Sequence, residues 1–564
     1  MKYIKPSMNF YYLIPLFSFL WLALFKGTLI HSNLEFISFL VILFVCTAFG
    51  WFFQKIHAIR NKLPAELITE YLPVFLGFIT LAFILCMVVV SKTNASVHPD
   101  EFTHISVARY YYDHWLPPKI GSPETLSTYS VWGFSYITEF DVVYLLAAKF
   151  SLLIRPLIDN EVIALRLFQV MLFALIAGSC LLSSSLRWVS LPLLMTPQVW
   201  YVYSYFNADA FPLTVSVILI GLLFGNGRSM MSLLNGPRWK IFVSILTILL
   251  SLLILSKRNY WPIFIFIFTA QLILIARLSA LKTFIFGLGF ALFVIGFMSS
   301  GISFGDSGQL SPYSKEIRQL LMLTGFLCTI TSLFGNKYWL SWCFDNPKLC
   351  YRIVLMLAMI GLIVGIRIIY DASINGGFAS RSSMINDLAE SLAGPGFKPS
   401  MYASASAHHS LALAAHGVSV IETLFAPWDW ILKIVNSFFG VYSYMNIRAM
   451  PHVYLILKLL FGIFFVGASL VVFSRKKQNY KPLLVLCYWI ILIVAISSFF
   501  LSWVNAFQAQ GRYLFPILPL LGVLLLIASK NERFIIFARS ILISAWGVSA
   551  YSFLFIGLTM IPKQ

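Results

Sequence analysis

Apolar blocks about twenty residues long recur along almost the whole chain, each long enough to cross the roughly 30 Å hydrocarbon core of a bilayer. Read this way, the sequence predicts fifteen transmembrane helices near 9–30, 34–54, 70–91, 161–182, 189–206, 210–225, 241–256, 260–276, 283–302, 319–335, 353–370, 452–473, 482–503, 513–529 and 534–558. Two polar breaks are longer than the rest, 92–160 and 371–451. The chain then divides into an N-terminal hairpin (1–60), a transmembrane module (61–370) whose first outer loop is 92–160, an outer segment (371–451) and C-terminal helices (452–564). The apolar stretch FDVVYLLAAKFSLLI (140–154) decides the topology, because counting it as a span reverses the side of everything after it.

Charge settles that choice. If 140–154 lies flat on the outer face, alternate loops carry Lys55, Arg60 and Lys62, then Arg187, then Arg238 and Lys240, then Lys348 and Arg352, then Arg475 to Lys477, then Lys530 and Arg533. Basic loops of that kind mark the cytoplasmic side. The N-terminus is then inside, the C-terminus outside, and both long breaks are extracytoplasmic. A chain with 60% hydrophobic and 11% charged residues is no soluble globule. Its net charge of +19 is spread in small groups between apolar runs, which argues for orientation signals and against nucleic acid as a partner. The early apolar run lacks a small-residue cleavage site, so a retained first helix is expected. The seven cysteines show neither a disulfide framework nor zinc spacing.

Chemistry gathers in the outer segments. In VHPDEFTHISVARYYYDHWLPPKIGSPE (97–124), Pro99 suits the first position of a helix, which places Asp100 and Glu101 in its first turn and His104 one turn beyond Asp100. Three short outer turns add Asp209, Lys257 with Arg258 and Tyr260, and Arg512. Charge at a membrane edge asks for a partner or a function. Cations of this kind can snorkel to lipid headgroups, or can hold an anionic headgroup such as a lipid-linked phosphate. Arg166 and Arg367, inside predicted spans, can join such a site or pair with acids. The Ser/Ala/Gly-rich start of 371–451 reads as a mobile gating loop or surface irregularity. The segment 425–446 reads as a second interfacial stretch with Trp428, Trp430, Tyr442 and Tyr444 at headgroup depth. His408, His409 and His416 lack a carboxylate at ligand spacing, so a metal is not favoured there, and the cofactor requirement stays open. Asn94-Ala95-Ser96 is a glycosylation sequon. No inverted repeat of the transporter kind is visible.

HPDEFTH (98–104), SYFNADA (204–210), LSKRNYWP (255–262), SFFGVYSYMN (437–446) and QGRYLFPILP (510–519) resemble, in this order, motifs of a bacterial branch of the GT-C superfamily of membrane glycosyltransferases. The resemblance covers roughly residues 70 to 560. It departs at the N-terminal hairpin and at Arg258 and Asn259, where prolines are expected. It implies an all-α polytopic fold with a GT-C-like bundle and interfacial helices in both outer segments. It also implies an enzyme of the bacterial inner membrane that transfers a sugar from a polyprenyl-phosphate donor to a cell-envelope glycan, lipid or protein. By motif position Asp100 is the general base, Glu101 its neighbour in positioning acceptor or metal, and Lys257, Arg258 and Arg512 the donor-phosphate group. One carboxylate suffices for an inverting transfer, because a lipid phosphate leaves as a stable anion that cations can hold. A shift of one residue in the helix start would exchange Asp100 and Glu101. His104 orients the base or bonds the sugar. A lipid-linked glycan polymerase or ligase, and a transporter or flippase of an anionic lipid, are the alternatives.

Overall fold

The computed structural model describes residues 93–562 apart from 226–229, 277, 299–314, 335–340, 343, 403, 405 and 476–479, together with Leu81 and Leu85. The predicted helices 9–30 and 34–54, and 70–91 apart from those two leucines, lie outside the described residues. The elements used below are α1 (Glu101–Asp113), α2 (Val143–Ile154), α3 (Glu161–Leu182), α4 (Ser184–Leu194), α5 (Pro197–Val202), α6 (Ala210–Phe224), α7 (Trp239–Ile254), α8 (Trp261–Ala276), α9 (Ala280–Met298), α10 (Lys315–Phe334), α11 (Pro347–Ile374), α12 (Phe378–Leu392) and α13 (Trp430–Phe438). They continue with a hairpin of β1 (Val441–Tyr442) and β2 (Ile447–Arg448), then α14 (Pro451–Ser474), α15 (Tyr480–Val504), α16 (Ile517–Ala528) and α17 (Glu532–Tyr551). Among the described residues seven helical stretches are long and apolar enough to cross a membrane, within α3, α8, α9, α11, α14, α15 and α17 with its continuation to Leu558.

The helices α6, α7 and α16, expected as full spans, are shorter apolar helices. At about 1.5 Å per residue the twelve residues of α16 reach only about 18 Å. Nearly every α16 side chain from Leu518 to Ala528 is buried, against α4, α6, α14 and α15. Close backbone approach, the usual means of joining helices in lipid, makes this contact. A Cβ on Gly522 would stand 2.6 Å from the Val189 carbonyl oxygen. The predicted span 189–206 is a correction: it breaks into α4 and α5 at Thr196, because Pro197 has no N–H to continue the helix and fits only a first-turn position.

One end of the bundle gathers the polar loops. The Val142 N–H donates to the Leu255 carbonyl at 2.8 Å, the Ala412 N–H to the Asn505 carbonyl at 2.6 Å, and the Ile120 N–H to Asn375 Oδ1 at 2.9 Å. Helix α2 stays at this end, too short to cross, with Lys149 Nζ donating to the Tyr112 carbonyl at 2.9 Å. At the other end Arg352 donates to the Leu234 carbonyl at 2.7 Å. Two expectations for 371–451 change. The Ser/Ala/Gly-rich stretch forms helix α12, fixed by Arg381, which bonds both Asp371 and the Thr138 carbonyl. The interfacial stretch 425–446 is α13 plus the hairpin, which tucks Trp430 and Tyr442 inside, and the Tyr442 hydroxyl meets Ser552 Oγ at 2.9 Å. Tyr444 is exposed.

Candidate functional site

Asp100 stands before α1, not in its first turn, so the helix begins two residues later than Pro99 suggests. Its φ of +60° is left-handed, a conformation that Asp tolerates better than most residues. Its carbonyl accepts the His104 N–H at 2.9 Å while its carboxylate makes no capping bond. That carboxylate instead accepts Arg512 Nη2 at 2.9 Å and is 40% exposed, whereas the Arg512 side chain is 5% exposed.

Arg512 is delivered by a turn that only glycine permits. A Cβ on Gly511 would lie 2.1 Å from the Phe438 nitrogen, and the Gly511 N–H donates to Ser437 Oγ at 2.6 Å. The turn 510–514 is thereby clamped to the end of α13. Behind Arg512 lies Asp209, fully buried, with its Oδ2 3.9 Å from Arg512 Nε. Lys257 Nζ bonds both Asp209 oxygens, at 2.9 and 2.8 Å, and the Tyr260 hydroxyl donates to the Asp209 carbonyl at 3.2 Å. Asn207 shapes this corner: its Oδ1 accepts the Asp209 N–H at 2.8 Å and its amide donates to the Val202 carbonyl at 2.5 Å. The turn between α5 and α6 thus holds an acid inside the bundle without a helix to carry it.

The result is a chain of alternating charge, Asp100, Arg512, Asp209, Lys257. Arg512 Nε and Nη1 are buried without a hydrogen-bond partner, and a buried donor left unmatched costs about 1–3 kcal/mol. Burial pushes the Asp100 carboxyl up, but Arg512 outweighs it with help from Lys257, holding the group below its ordinary value. The opening toward solvent makes that outcome the physical one. Burial, against the pull of Asp209, lowers Lys257.

Glu101, one residue on, has no exposure at all. Arg166 grips its two oxygens at 2.8 and 2.6 Å, and the Phe206 N–H adds 2.8 Å. Arg166 also donates to the Thr93 carbonyl and hydroxyl, so of its two expected roles Arg166 takes the pairing with an acid. Arg367 likewise lies 3.5 Å from Asp371. His104 is buried, its Nδ1 2.7 Å from the Tyr144 hydroxyl and its ring stacked 4.4 Å from Tyr136, and burial drives it down to about 3, hence neutral.

The structure therefore brings together Asp100, Asp209, Lys257, Tyr260 and Arg512, sets His104 at their edge, and places Glu101 in a separate pair. Arg258 is joined to Glu139 at 2.8 Å, partly exposed. Tyr136, Tyr144 and Asn207 escaped the sequence reading, the first two because they lie in the segments taken as loop and interfacial helix. Asp100 and Asp209 are each met by a cation of the chain, and among the described residues no three His, Cys, Asp or Glu side chains gather.

No family model matches the chain, and no curated protein matches it. One solved structure, the archaeal oligosaccharyltransferase AglB from Archaeoglobus fulgidus in complex with an inhibitory peptide and a dolichol-phosphate, is similar over 80% of this chain and 50% of that chain, at 12% identity and a TM-score of 0.30. The chain spans half the length of that protein. A likeness of this degree carries nothing about what the chain does.

Proposed function

We propose that the chain is a membrane glycosyltransferase of the GT-C type that moves a sugar from a polyprenyl-phosphate donor to a cell-envelope glycan, lipid or protein on the extracytoplasmic side, with inversion. One observation carries this reading: a single half-open carboxylate, Asp100, faces a buried guanidinium with two nitrogens that lack a hydrogen-bond partner. Asp100 takes the proton of the acceptor hydroxyl, whose oxygen attacks the anomeric carbon from the face opposite the phosphate. The bond to the phosphate oxygen breaks, and Arg512 and Lys257 hold the charge that grows there. In the resting pair Arg512 damps the basicity of Asp100. A donor phosphate that draws Arg512 to itself restores that basicity, so the base strengthens once the donor is in place.

Asp209 keeps Lys257 and Arg512 aimed, and the Glu101–Arg166 pair fixes the start of α1 to the body. Charge supports the side of the membrane: the loops and helix ends away from the site carry Arg238, Lys240, Lys348, Arg352, Lys481, Lys530 and Arg533. The bacterial inner membrane follows from the motif resemblance. The test uses purified Asp100→Asn protein with a polyprenyl-phosphate-linked sugar and follows transfer and donor binding separately. Loss of transfer with donor binding kept is the expected result and speaks against a transporter. Full transfer in that variant removes Asp100 as the base.

A further inference from the structure

Six rings from four separate stretches of chain meet in one row. Trp132 packs on Phe397 at 4.5 Å between ring centroids, Phe397 stacks on His408 at 4.8 Å, and His408 lies 4.3 Å from His409. His409 faces Trp428 at 6.4 Å, and Trp428 meets Phe507 at 4.9 Å. None of the six is buried, and His409 is exposed. Both ends of the row are close in sequence to residues of the site. Trp132 belongs to the loop whose Tyr136 stacks on His104, and Phe507 lies five residues before Arg512 in the turn that delivers it.

A hydrophobic core would bury these rings, and a lipid-facing patch would not seat two adjacent imidazoles in its middle. Half-exposed rings with imidazole nitrogens between them suit a ligand with apolar C–H faces and hydroxyl edges. That is a pyranose ring. His408 Nδ1 is held at 2.8 Å from Ser410 Oγ, which fixes the imidazole plane while its other nitrogen is available to a hydroxyl.

We propose that this row is a binding platform for the sugar chain of the acceptor, ranking a neutral glycan above a peptide. The proposal rests on the glycosyltransferase reading for the word acceptor, while the binding of sugar rings can be measured apart from catalysis. Wild-type protein in detergent is titrated with maltohexaose, chitohexaose and a mannan hexasaccharide, following tryptophan fluorescence and saturation-transfer NMR. At least one of these should bind, with about tenfold weaker affinity in Trp132→Ala or Trp428→Ala, near wild-type affinity in the Phe replacements, and a smaller loss in His409→Ala. Unchanged elution and melting temperature exclude misfolding of the Ala variants, and the Phe and His409 variants decide the matter if an Ala variant fails to fold. Absence of binding by all three sugars, or binding untouched by these changes, overturns the platform. Binding of polyprenyl phosphate is measured on the same samples: kept without sugar binding, only the platform falls, and lost as well, the proposed function falls with it.

Discussion

Asp100 and Glu101 are chain neighbours, yet one sits in an incomplete network and the other in a complete one. Glu101 has its charge met by the Arg166 fork and a backbone N–H, with no solvent and nothing left to offer. Asp100 is 40% exposed, held by one bond to an arginine that keeps two donors unspent. The backbone makes the difference: the left-handed φ at Asp100 turns the chain between the two residues. A saturated buried pair fixes geometry; an unsaturated one at an opening is suited to taking up a ligand.

The sharpest way to break this contrast is by activity. Asp100→Asn should cost about 10²–10⁴-fold in transfer rate, the range of a lost general base, with an unchanged melting temperature. Arg166→Ala should do the reverse. It leaves Glu101 buried and alone, a loss of about 3–5 kcal/mol in stability that thermal unfolding or yield of folded protein will show. A smaller effect lies in the pH profile. Arg512 holds Asp100 below its ordinary value in the free enzyme, so falling pH should spare the wild-type kcat/KM until below the ordinary carboxylate range. In Arg512→Gln burial acts with less opposition, the carboxyl rises, and the acid limb of the residual activity should move up. Two null results complete the series. His104 is already neutral, so no limb should appear near its ordinary value of about 6.5. Chelators should leave the rate unaltered, since cations of the chain occupy the positions a metal would need.

The sequence is explicit about apolar length and the alternation of basic loops, which is why α3, α8, α9, α11, α14, α15 and α17 stand within a few residues of expectation. It is also explicit about charges in an apolar setting, and Asp100, Asp209, Lys257 and Arg512 do meet. What hydropathy hides is interruption. The break at Thr196 and Pro197 costs no hydrophobicity, and the Asn207 turn that carries Asp209 inward lies within an apolar run. Nor does spacing reveal that Glu101 and Arg166, sixty-five residues apart, complete each other, or that Arg258 reaches Glu139. Helix α12 was hidden by its small residues, because what fixes it is distant contacts, among them Arg381 to the Thr138 carbonyl and Leu388 against Gly121.

Binding of undecaprenyl phosphate to wild type, Asp100→Asn and Arg512→Ala, by calorimetry in one detergent, tests the role of the Asp100–Arg512 pair most directly. Asp100→Asn should bind as tightly as wild type or tighter, since Arg512 loses its competitor, and Arg512→Ala should bind at least about tenfold more weakly. Equal affinity in wild type and Arg512→Ala, or a loss on removing the Asp100 charge, would contradict the account.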